Sequence, residues 1–88
     1  MSEKRLTKPE AKIVRDGLIL ALEDERQHHD IFVHPDWLPN RFGDIYINDA
    51  QKRGYLARLA QEGRIQQHYT AKGWYKYCTY RAYPPEQS

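Results

Sequence analysis

The sequence predicts a small α+β domain in which helices precede a C-terminal antiparallel β-hairpin. Three observations carry this. Apolar residues recur at helical spacing behind a capping pair near Thr7 and again near Asn48. A run rich in Tyr, Trp and Thr, free of Gly and Pro, spans residues 74–83. With 88 residues, 40% apolar and 30% charged, the chain holds one domain with a modest core.

Residues 1–6 are polar and read as a flexible, frayed N-terminus; the domain proper spans 7–83, and 84–88 form a tail. Thr7 caps a first helix, Pro9 lies in the first turn where its missing N–H costs nothing, and Glu10 reaches back to the cap. Ile13, Val14, Leu18, Ala21 and Leu22 form its apolar stripe over residues 8–26, with Gly17 on the stripe marking a close helix contact. Ile31-Phe32-Val33 reads as a short edge strand. Pro35 and Pro39 forbid a long helix, so residues 36–42 read as a short helix or turn with Trp37, Leu38 and Phe42 turned inward. Gly43-Asp44 is a turn, and residues 45–47 are extended.

Asn48 caps the next helix, with Gln51 at the reciprocal position. Tyr55, Leu56, Leu59 and Ala60 make its buried stripe, and Gly63 ends it in a left-handed conformation. Residues 64–69 alternate, Thr70-Ala71-Lys72-Gly73 reads as the hairpin turn, and Pro84-Pro85 stops the last strand.

Composition narrows the function. A formal charge of +2 excludes binding by a polybasic tail. Charge is uneven, however. Residues 1–43 carry seven Lys/Arg against eight Asp/Glu, whereas residues 44–83 carry seven against three. Six of the nine Tyr and Trp residues fall in the fifteen positions 69–83. The second half is basic and aromatic, the direction of nucleic-acid binding. The single Cys78 excludes an internal disulfide and a multi-cysteine zinc site. No apolar run is long enough to span a membrane, and Met1-Ser2-Glu3-Lys4-Arg5 lacks the apolar stretch of a secretion signal, so the expectation is a soluble cytoplasmic protein.

Leucines three apart, a polar pair, Gly63 and Ile65, followed by a hairpin, give the segment Tyr55-Leu56-Ala57-Arg58-Leu59-Ala60-Gln61-Glu62-Gly63-Arg64-Ile65. This resembles the third helix and wing of the winged helix-turn-helix superfamily; in element order the resemblance covers residues 8–83. It implies a winged-helix domain that binds double-stranded DNA, a small transcriptional regulator or accessory factor. Its third helix would enter the major groove while the wing touches phosphate or the minor groove. By position, the implied contacts are Asn48, Gln51, Lys52 and Arg53 on the helix and Lys72 at the wing, with Lys76 and Arg81 adding phosphate contacts. Asn and Gln suit adenine edges and Arg suits guanine, whereas Lys72 would position the backbone. Asn48 and Gln51 already suffice as a helix cap, so both roles stay open for them.

An alternative reading is a protein-interaction module, a small inhibitor or adaptor of phage or plasmid type, docking through Trp37, Tyr75, Tyr77 and Tyr80. A homodimer through the same tyrosines is a further option. His28, His29, Asp30, His34 and Asp36 lack metal-site spacing and read as a surface loop. Cys78 has His68 across the hairpin but no oxyanion donor, so it reads as a buried small side chain. No catalytic residue, metal or cofactor is expected.

Overall fold

The computed structural model describes residues 5–84. Over these residues the architecture is α+β, with two α-helices and two antiparallel two-stranded sheets. In chain order these are α1 (Lys8–His29), a 3-10 turn (Pro35–Trp37), β1 (Arg41–Phe42), β2 (Ile45–Tyr46), α2 (Asp49–Gln61), β3 (Ile65–Lys72) and β4 (Tyr75–Ala82). The expectations for residues 1–4 and 85–88 lie outside the described residues.

Both helix starts form as their sequences dictate. Thr7 Oγ1 accepts from the Glu10 N–H at 3.3 Å, and Glu10 Oε1 accepts from the Thr7 N–H at 3.0 Å. Asn48 Oδ1 and Gln51 Oε1 repeat the exchange at 2.7 and 3.0 Å. Each box satisfies amide groups that a helix start leaves without partners. α1 extends to His29, beyond the expected end at residue 26. The extension is held by i, i+4 contacts: His28 Nδ1 donates to the Asp24 carbonyl at 2.8 Å, and His29 Nδ1 meets Glu25 Oε2 at 3.1 Å. Asp30 then takes a left-handed conformation, φ 50°, and its N–H donates to the Arg26 carbonyl.

The core joins three elements. Val14, Leu18 and Leu22 of α1 meet Leu56 and Leu59 of α2 and Ile65, Tyr80 and Ala82 at the base of the β3–β4 hairpin. Val33, Leu38 and Ile47 from the connections close it. Each fully buried leucine contributes about 1.5–3 kcal/mol relative to exposure.

The segment between the helices departs from expectation in several places. The edge strand at residues 31–33 reduces to one antiparallel bridge, in which Val33 and Tyr80 exchange backbone hydrogen bonds of 2.7 and 2.9 Å. Pro35, two residues on, has no N–H to continue a ladder. Leu38 turns inward and Phe42 is half-buried, but Trp37 faces outward at 83% exposure because the 3-10 turn buries Pro35 and Leu38 instead. β1 and β2 pair across the turn at Gly43-Asp44. Thus no middle helix stands between α1 and α2; a 3-10 turn and a minimal hairpin occupy its place. Gly17 makes its close approach to the Phe42 ring, not to a helix: a Cβ there would lie 2.8 Å from Cε1.

β3 and β4 pair in unbroken register from Ile65↔Ala82 to Lys72↔Tyr75. The turn is therefore Gly73-Trp74 rather than residues 70–73, with Gly73 at φ 64°. A two-residue loop needs positive φ at its first central position, and Gly73 supplies it. Only the base of this hairpin reaches the core. Its outer half, residues 71–77, is exposed along both strands.

Candidate nucleic-acid interface

α2 buries the stripe Lys52, Leu56 and Leu59, so its opposite face is open. Ala50, Arg53, Gly54, Ala57, Arg58 and Gln61 line that face and are all exposed. Arg58 was not singled out in the sequence, yet it stands four residues beyond Gly54, and with Gln51 and Tyr55 it borders a shallow depression. Among the described residues nothing comes within 4 Å of where a Cβ on Gly54 would lie, so none of them calls for a glycine there. Arginines flanking small residues leave this face approachable by a second molecule.

Lys52 corrects the sequence reading. It is 1% exposed and cannot touch a phosphate. Its Nζ donates to the Leu38 carbonyl at 2.9 Å and to Asn40 Oδ1 at 2.8 Å, and lies 3.8 Å from Asp49 Oδ1. Asn40 Nδ2 donates in turn to the Ile47 carbonyl at 3.0 Å and to Asp49 Oδ1 at 3.1 Å. This network pins the connection to the first turn of α2. It also sets a cation beside the Asp49 carboxylate, which tempers the negative charge at the end of the open face. The signal for burial was the spacing: Lys52 precedes Leu56 by four and Leu59 by seven, on the same stripe.

The hairpin distributes the remaining candidates by alternation. Ile65, Gln67, Tyr69 and Ala71 share one face with Lys76, Cys78, Tyr80 and Ala82, the face that meets the core at its base. Gln66, His68, Thr70 and Lys72 share the other with Tyr75, Tyr77, Thr79 and Arg81. Lys72 and Lys76 are both exposed near the tip but on opposite faces. Arg81 is committed internally: Nε donates to Gln66 Oε1 at 2.9 Å, Nη1 lies 3.3 Å from Asp30 Oδ1, and the guanidinium sits 4.5 Å from the Phe32 ring centroid. Those contacts remove it from the phosphate-binding set. Trp74, which the sequence reading placed in a strand, caps the tip at 95% exposure. From Arg64 to Tyr83 the chain carries no Asp or Glu.

Asn48 and Gln51 both take part in the α2 cap, Asn48 exposed and Gln51 partly so. Of the aromatic set, Trp37 and Tyr77 border one groove with Ile31, Phe32, His34 and Thr79. Tyr75 lies on the same hairpin face. Tyr80 is a correction: at 3% exposure it belongs to the core, and burial raises its phenol pKa. Cys78 is half-buried, 3.0 Å from Gln67 Nε2. Among the described residues no cluster of three His, Cys, Asp or Glu side chains is placed to hold a metal, and no helix is long and apolar enough to cross a membrane. No protein-family model, curated protein or solved structure matches this chain.

Proposed function

We propose that the protein is a small winged-helix-type module that binds duplex DNA, with the open face of α2 in the major groove and the β3–β4 hairpin as the wing. The observation that carries this reading is the hairpin itself. Its exposed outer half holds Lys72 and Lys76 and has no core to bury, and no acidic residue lies between Arg64 and Tyr83. A finger of one charge sign whose tip stands clear of the core suits a polyanion. The order helix, bridging residue, helix, hairpin supports the same reading, since Val33 lies beside β4 as a minimal third strand. Arg53 and Arg58 are the candidate base or phosphate contacts on α2, while Lys72, Lys76 and Trp74 are those on the wing. As a DNA-binding module the chain would serve a small transcriptional regulator or accessory factor.

The test is a titration of labelled duplex DNA by anisotropy at several salt concentrations. Binding should weaken steeply with salt, and Arg53→Ala or Lys76→Ala should each lower the salt slope by about one. Absence of salt-sensitive binding at micromolar protein, or slopes unmoved by both substitutions, overturns the proposal.

One observation favours a second reading, a protein-docking module: the groove bordered by Trp37, Phe32 and Tyr77 is aromatic and open. Trp37→Ala with Tyr77→Ala should leave DNA binding intact if the first reading is right. Under the second, it should abolish capture of a protein partner.

A further inference from the structure

The outer edge of β3 is open. Val33 and Tyr80 exchange backbone hydrogen bonds, so the Tyr80 N–H and C=O point away from β3. In an antiparallel ladder these directions alternate. The residues paired with Arg81, Thr79 and Tyr77 therefore bond within the hairpin, and the N–H and C=O groups of Gln67, Tyr69 and Ala71 point outward. Among the described residues, no hydrogen bond reaches these outward groups. Natural edge strands are blunted by charge, proline or bulges. Residues 65–71 contain no Lys, Arg, Asp, Glu or Pro, and the register shows no bulge.

We propose that this edge pairs with β3 of a second copy of the chain, antiparallel about a twofold axis at Tyr69. Outward groups meet when the axis lies at His68, Tyr69 or Thr70, and charge selects Tyr69, because an axis at His68 sets Lys72 against Arg64 of the second copy and one at Thr70 sets Lys72 against His68. Centred on Tyr69, the axis sets Tyr69 opposite Tyr69, Gln67 opposite Ala71 and Ala71 opposite Gln67 of the second copy. All of these are residues with outward N–H and C=O, so successive pairs exchange both hydrogen bonds, as an isologous contact requires. The charges also fit: Lys72 falls opposite Gln66 of the second copy, so no cation faces a cation. Tyr69, 56% exposed in the single chain, gains an aromatic cross-strand partner. Such an axis stands perpendicular to the sheet, so both copies of α2 lie on the same side of one continuous sheet. The inference stands independently of DNA binding, although a twofold site would suit such a pair.

The experiment is sedimentation velocity of the full chain without DNA, from micromolar to near-millimolar concentration. The wild type should shift from monomer to dimer across that range, because a short strand edge buries little area. Ala71→Pro removes one outward N–H that the hairpin does not use, and proline is tolerated at such edge positions. It should stay monomeric throughout with an unchanged circular dichroism spectrum. Tyr69→Lys, which sets two cations face to face at the axis, should do the same and serves if the proline variant unfolds. Mixing Gln67→Glu with Ala71→Lys chains should favour the mixed dimer over either parent. A wild type that remains monomeric throughout, or folded Tyr69→Lys that dimerises like the wild type, overturns the proposal. Neither result bears on the DNA titration.

Discussion

Replacing Lys52 with Met tests whether this residue is a strut of the fold. Met matches the length of the apolar stem but removes the ammonium head. The Leu38 carbonyl and Asn40 Oδ1 then lose donors at 2.9 and 2.8 Å in a site that is 1% exposed to water. A hydrogen bond to a charged group contributes about 1.5–3 kcal/mol, and an acceptor left buried without a donor costs about 1–3 kcal/mol. Against this stands the relief of no longer burying a cation. The Asn40 side chain keeps its contacts to Ile47 and Asp49, so part of the network survives. The expected net loss for Lys52→Met is about 2–3 kcal/mol. Lys52→Ala should lose about 3–5 kcal/mol, since the vacated stem adds a cavity. Small domains hold only about 5–15 kcal/mol in total, so Lys52→Ala removes a large share. In melting temperature, each kcal/mol amounts to about 4–8 °C for a chain of this size. Urea denaturation followed by circular dichroism measures the loss, and a double-mutant cycle with Asn40→Ala should show coupling between the two side chains. Lys52→Met within about 0.5 kcal/mol of the wild type, the scatter of an ordinary surface substitution, would refute the reasoning.

Two glycines give opposite expectations in the same urea assay. Gly54→Ala should stabilise by about 0.5–1 kcal/mol, since it sits in mid-helix with open space around it. Gly17→Ala should destabilise, because overpacking against the Phe42 ring costs about 1–3 kcal/mol, more than the helix gains. Leu59→Ala should cost about 2–5 kcal/mol in melting experiments, as the side chain is wholly buried between the helices and the hairpin. His28 has its pKa raised by donation to the Asp24 carbonyl and by the Asp24 carboxylate. Its contribution is therefore complete below the ordinary histidine pKa and fades as pH rises through the higher folded value. The wild type should lose slightly more stability between pH 6 and pH 8 than His28→Gln does in parallel melts.

Local rules carried much of the fold. Both capping boxes, the left-handed Gly63, the hairpin and both apolar stripes, save for Ile13, which stands 52% exposed beside the first, follow from short-range chemistry visible in the sequence. The misses come from longer range. Trp37 faces water because a turn of only three residues has to choose which side chains to bury, and Pro35 and Leu38 occupy the inside. Nothing near Tyr80 says that Val33, far away in sequence, bonds to it across the outer edge of β4. In the candidate interface, Arg53 and the hairpin lysines were legible as exposed cations. Lys52 was misread because residue type was weighed above position: the helical period placed it with the leucines. Arg81 was misread for a different reason, since its partners Asp30 and Phe32 come from the end of α1 and the segment after it.

The placement of the two tryptophans has a practical optical consequence. Trp37 and Trp74 both stand in water in the native chain, so their emission should already resemble that of the denatured chain. Indole fluorescence will therefore follow unfolding poorly. It will instead respond when something covers the groove beside Tyr77 or the end of the hairpin. With Trp37→Phe the surviving signal comes from the hairpin end alone, and with Trp74→Phe from the groove alone, so each variant reports which surface a ligand has covered.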